Sequence, residues 1–224
     1  KKADKKDKKK KSKIIVEYKY DIFWRRIEKK VKKDIFKYYY AWKNIILEKK
    51  YKIDDDGLEL KETRENIYSN NLDDILTTVV IKIEDKKEEK KKIYYYHKNH
   101  LWSIIAITDK KGKIVEKYRY DVFGKAYISN WKKWKYKDFK KSKIWNTRLY
   151  TGREYEKEVW LYYLRARYYN PIIGRFISRD PIDIFDNVNL YGYVGNNGVM
   201  FVDRMGLSKV LIIGFKGWNN EAAY

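Results

Sequence analysis

Apolar and polar residues alternate along much of this chain, and the alternation predicts strands. Ile14, Val16, Tyr18 and Tyr20 fall on one side of an extended backbone, and Ile15, Glu17, Lys19 and Asp21 on the other, because successive strand side chains point to opposite faces. Ile114, Glu116, Tyr118 and Tyr120 against Val115, Lys117, Arg119 and Asp121 nearly repeat this pattern, and Thr77, Val79, Ile81 and Ile83 oppose Thr78, Val80, Lys82 and Glu84. Trp160, Tyr162, Leu164, Ala166 and Tyr168 form a further apolar face, backed by Arg165 and Arg167. Each run reads as a half-buried strand. Val31 to Tyr51 is ambiguous. Val31, Ile35, Tyr38, Trp42 and Ile45 would share a helix face, while Tyr38–Tyr40 and Ile45–Leu47 read as the arms of a hairpin, which the neighbouring strands favour.

The strands recur with their turns. Tyr18-Lys19-Tyr20-Asp21-Ile22-Phe23-Trp24 matches Tyr118-Arg119-Tyr120-Asp121-Val122-Phe123-Gly124, a Tyr-rich strand ending in Asp and a turn. Lys110-Lys111-Gly112-Lys113 supplies another hairpin turn, joining residues 102–108 to 113–120. The chain therefore predicts a mainly β protein of antiparallel hairpins.

Composition adds a boundary. Residues 159–207 contain no lysine, although the chain holds 53 Lys and Arg; they contain instead five arginines, both prolines and five of the eleven glycines. Arg offers a planar fork for fixed pairing, whereas Lys is a hydrated point charge, so geometry is expected to matter most here. The net charge of +22 suggests a nucleic-acid binder, but residues 1–13 carry +7 and residues 131–143 carry +6. The first run reads as a disordered basic arm and the second as a solvated, lysine-biased loop, so nucleic acid is not the expected partner. Zero Cys excludes disulfides and thiolate metal sites. His97 and His100, the chain's two histidines, are expected to hydrogen-bond across a turn rather than hold a metal; no cofactor is expected. No apolar run approaches a membrane span and no signal peptide opens the sequence.

Longer motifs carry a resemblance. Tyr94-Tyr95-Tyr96-His97-Lys98-Asn99-His100-Leu101-Trp102-Ser103 and Tyr118-Arg119-Tyr120-Asp121-Val122-Phe123-Gly124 resemble the YD-repeat module of Rhs (rearrangement hotspot) proteins. Tyr150-Thr151-Gly152-Arg153-Glu154-Tyr155, Leu161 to Tyr169, Gly174-Arg175-Phe176-Ile177-Ser178-Arg179-Asp180-Pro181 and Asn189-Leu190-Tyr191-Gly192-Tyr193 look like the Rhs repeat-associated core. The resemblance implies a shell of β-hairpins closed by an irregular core plug. It divides the chain into a basic arm (1–13), a YD-repeat region (14–158), a core (159–207) and the start of a variable toxin domain (208–224).

The implied function is enclosure and release of a C-terminal effector in competition between bacteria, with self-cleavage after Leu207. The implied partners are the chain's own toxin domain, a secretion-apparatus component and an immunity protein, and the implied location is secreted or on the cell surface. A wall-associated protein binding envelope glycan is the alternative. By motif, the catalytic candidates are Asp180 and Asp203, with Arg175 or Arg179 holding one aspartate ionised or steadying the oxyanion. Two close carboxylates share a proton, so one activates water while the other protonates the carbonyl. The plainer reading makes both aspartates turn residues accepting backbone N–H groups. Three positions depart from the family pattern: Arg204 stands where the motif has Pro, and Trp24 and Trp102 stand where Gly is usual.

Overall fold

The structure, a computed structural model, describes residues 15–84, 87–129, 135–182, 189–207 and 210–211. The basic arm and most of residues 208–224 lie outside them. Eleven strands follow one another in a single antiparallel meander: β1 (Glu17–Tyr20), β2 (Arg26–Val31), β3 (Asp34–Ala41), β4 (Asn44–Asp54), β5 (Gly57–Tyr68), β6 (Ile75–Glu84), β7 (Lys87–Lys98), β8 (Ile104–Asp109), β9 (Ile114–Tyr120), β10 (Ala126–Ser129) and β11 (Lys137–Asp138). Residues 31–51 are two strands, and Tyr39 pairs with Leu47, so the hairpin wins over the helix. Lys137–Asp138 is an edge strand paired with Ile128 and Tyr127; this part of the lysine-rich stretch is not free loop.

Seven of the ten strand pairings carry a register shift. An extra residue on one strand bends it and increases its twist, so a sheet bulged this often is a curved wall.

A second sheet follows, with β12 (Glu154–Glu156), β13 (Leu161–Leu164), β14 (Arg167–Asn170) and β15 (Arg175–Phe176), and then a short pair, β16 (Phe201–Val202) with β17 (Val210–Leu211). The alternating run from Trp160 to Tyr168 is not one strand, as its pattern suggested. It breaks at Arg165, which has φ 58°, and folds into the β13–β14 hairpin. Tyr162 therefore pairs with Tyr169, and Tyr163 with Tyr168. Tyr162 and Tyr169 are both fully buried and join Ile104, Ile107, Tyr118, Leu149, Tyr150 and Tyr193 in one core between wall and second sheet. Among the described residues there is no α-helix, and no helix long and apolar enough to cross a membrane.

Candidate functional site

In a meander, alternate turns lie at the same end of the sheet. The β1–β2, β3–β4, β5–β6, β7–β8 and β9–β10 turns thus form one rim, and residues from 151 onward reach all five. Tyr163 donates its hydroxyl to the Trp24 carbonyl (3.1 Å), and Arg165 Nη2 donates to the Lys43 carbonyl (3.2 Å). Arg204 Nη1 donates to the Leu72 carbonyl (2.8 Å), and Ser103 Oγ accepts from Thr151 N (2.9 Å). Tyr162 and Tyr169 donate to the carbonyls of Gly124 (2.9 Å) and Phe123 (2.8 Å). Residues from 151 onward form a lid on this rim. Arg165 and Arg204 of the lysine-free segment bind it as donors to backbone carbonyls, a use suited to a planar fork.

Buried ion pairs hold the lid from below. Asp73, 2% exposed, accepts from Arg153 Nη1 (2.6 Å) and from Arg165 Nη2 (2.7 Å) and Nη1 (2.9 Å). Glu154 accepts from Arg26 Nη2 (3.1 Å) and pairs with Arg148; Glu156 pairs with Arg26 and Lys29. Burial alone would raise these carboxyls. The guanidinium groups of Arg153 and Arg165 overcome it at Asp73, those of Arg148 and Arg153 at Glu154, and Arg26 with Lys29 at Glu156, so all three lie below the usual carboxylate range. Breaking such a pair on one side leaves a buried charge uncompensated.

The aspartates chosen by motif share one arginine although they lie 23 positions apart in sequence. One nitrogen serves both: Arg167 Nη2 lies 2.8 Å from Asp180 Oδ2 and 3.5 Å from Asp203 Oδ2. Each carboxylate uses its other oxygen in a turn. Asp180 Oδ1 accepts from Ile182 N (3.0 Å), while Asp203 Oδ1 accepts from Met205 N (3.1 Å), Gly206 N (2.7 Å) and Leu207 N (3.1 Å). The Oδ1 atoms of both aspartates thus accept backbone N–H groups in turns, and the Oδ2 atoms meet at Arg167. Asp203 and Arg167 are buried, and Arg167 Nε donates to the Gly206 carbonyl at 2.5 Å. Burial pulls the Arg167 guanidinium down, against the two aspartates that favour its charge.

Arg175 and Arg179 are exposed; the arginine that bridges the aspartates is Arg167. Sequence reasoning had assigned Arg167 only to the back of an apolar face. The usable signal was a charged residue directly before the aromatic pair Tyr168 and Tyr169. Arg204 has no positive φ, and its guanidinium stacks 4.0 Å from the Trp102 ring. His97 Nε2 hydrogen-bonds Thr108 Oγ1 (3.0 Å) across β7 and β8. Among the described residues no acidic or histidine cluster has the form of a metal site.

No family model matches the chain. The β-wall with its fitted lid, together with the relatives, supports an Rhs-type relationship. Two curated relatives are "tRNA(Glu)-specific nuclease WapA" of Bacillus subtilis subsp. natto, 37% identical over 97% of this chain, and "tRNA nuclease WapA" of Bacillus subtilis strain 168, 38% identical over 89%. The chain spans 8% of the length of each. The crystal structure of TcdB2-TccC3-TEV shares the fold, with a TM-score of 0.67 at 24% identity over 89% of this chain and 9% of that one.

Proposed function

We propose that this chain is the closing end of an Rhs-type toxin shell, in which β1–β11 are wall and residues 151–207 the lid, and that the lid cuts its own chain after Leu207. The observation that supports it most is the shared nitrogen of Arg167, which gathers Asp180 and Asp203 beside the Gly206 carbonyl, one residue before the bond to be cut. In the proposed step one carboxylate takes a proton from water, whose oxygen adds to the Leu207 carbonyl carbon. The other, protonated, carboxyl gives its proton to the carbonyl oxygen. Collapse breaks the C–N bond, and the Ser208 nitrogen leaves with a proton. Arg167 acts as a positioning residue, holding both carboxylates by their Oδ2 atoms. Ser208 lies outside the described residues. The segment beyond it is the proposed cargo, kept by the shell until release. The nuclease activity in the names of the Bacillus relatives belongs to those far longer proteins.

The test is expression of the full-length gene product with mass analysis of its fragments. A fragment ending at Leu207, lost in Asp203→Asn and in Asp180→Asn, supports the reading. An uncut chain, or cutting that survives both substitutions, overturns the cleavage and leaves a passive shell. Retention of the purified protein on envelope glycan would favour the wall-binding alternative.

A further inference from the structure

All five tryptophans among the described residues have left-handed backbone: Trp24 (φ 59°), Trp42 (52°), Trp102 (60°), Trp145 (61°) and Trp160 (62°). Only a few per cent of non-glycine residues do so, and five out of five would arise by chance less than about once in a million. The other non-glycine residues with positive φ are Lys32, Asp73, Thr151, Arg165, Val194 and Asn196, six residues of six different types. Random decay of glycine turns would scatter over residue types in that way. It would not select tryptophan every time.

The turns show which residue belongs there. In six of them a side-chain oxygen at the first position accepts the N–H groups two and four residues later, with the left-handed residue between. Asp109, Asp121 and Asp203 open three of these turns, which contain Gly112 (φ 74°), Gly124 (86°) and Gly206 (70°). Asp21, Asn99 and Ser142 open the others, which contain Trp24, Trp102 and Trp145. Asp21 Oδ1 and Asp121 Oδ1 both accept their two bonds at 2.9 Å, so the Trp turn and the Gly turn are one template. Left-handed backbone is strained for any residue with a Cβ and free for glycine.

The indoles return little for this strain. Trp24 is 78% exposed, Trp42 72%, Trp160 61% and Trp145 44%, although tryptophan normally buries most of its surface. Trp102 alone is half-buried, under Arg204. Tryptophan's codon UGG differs in its last base from UGA, and UGA differs in its first base from the glycine codon GGA.

We infer that the codon read as tryptophan at these five turns is decoded as glycine where the protein is made, so that its natural turns carry glycine at residues 24, 42, 102, 145 and 160. One consequence is local. A hollow of about 920 Å³ beside Leu207 is walled partly by Trp24 and Trp42, and with glycine there those two walls are gone.

Peptide mass spectrometry of the protein purified from its source cells tests this directly. Peptides spanning residues 24, 102 and 145 are expected at the glycine mass; tryptophan mass at these turns overturns the inference. A second measurement compares the full chain as written with the chain carrying W24G, W42G, W102G, W145G and W160G. The glycine chain should melt roughly 10 °C or more higher, from five relieved left-handed residues. Equal or lower melting would refute the claim that these turns are glycine seats.

Discussion

Asp73→Asn isolates the force that holds lid to wall. Asp73 sits in the β5–β6 turn, buried, with Arg153 and Arg165 of the lid on its two oxygens. The substitution keeps the volume and removes the charge, leaving Arg153 buried with the Tyr163 carbonyl as its remaining short partner (2.8 Å). Breaking one side of a buried pair costs about 3–5 kcal/mol, and at about 2–4 °C per kcal/mol for a chain of this size the melting temperature should fall by roughly 10 °C. The pH dependence has a defined sign. The folded Asp73 carboxyl is depressed below its ordinary value, so its stabilisation is complete above the unfolded value of about 4 and is lost as pH falls through the folded value. Denaturant melts of wild type and Asp73→Asn should therefore differ most near neutrality and converge in acid. A double-mutant cycle with Arg165→Met reads the pair alone. A loss under about 1 kcal/mol at pH 7, or a gap that grows in acid, would refute ion pairing as the clamp.

Four further outcomes follow from the same contacts. Gly206→Ala should destabilise the lid and stop proposed cleavage, because the added Cβ would meet the Leu164 carbonyl at 2.5 Å on a backbone with φ 70°; fragment analysis and a melt check both. Tyr162→Phe should cost about 1 kcal/mol in a denaturant melt, since it removes one hydrogen bond to the Gly124 carbonyl and leaves the ring packed. Arg167→Lys should slow proposed self-cleavage by at least roughly tenfold with the fold intact by circular dichroism, because a point charge cannot hold both aspartates and the Gly206 carbonyl together. Glu156→Gln should lower stability by about 3 kcal/mol at pH 7, by leaving Arg26 and Lys29 short of a partner, and by less below pH 4, as chemical denaturation would show.

The wall was legible in the sequence because period-two alternation is a local signal. Even Glu116 fell on the predicted buried face with Tyr118, and it is buried there, accepting from Ser142 Oγ (2.7 Å) and Lys143 N (2.6 Å). The lid was legible as a change in composition but not as a shape. Nothing local distinguishes an alternating run from a hairpin whose turn falls on Arg165 and Ala166; the turn there is fixed by Asp73 and the Lys43 carbonyl, 92 and 122 residues away. Arg167 was missed for the same reason. Its partners Asp180 and Asp203 are distant in sequence, and they reach one nitrogen only through the fold of the segment from β14 to the turn after β16. The positive φ of the tryptophans was legible where the repeat aligned Trp24 with Gly124, and hidden at Trp145 and Trp160, which lie outside it.

Hydrogen exchange on the full-length gene product, followed residue by residue, tests the lid most directly. Amides of Leu161–Leu164, Arg167–Asn170 and the five rim turns should be protected together and lose protection together in Asp73→Asn. Exchange of residues 161–170 at the rate of free coil, while β3–β9 stay protected, would contradict a lid bound to the wall.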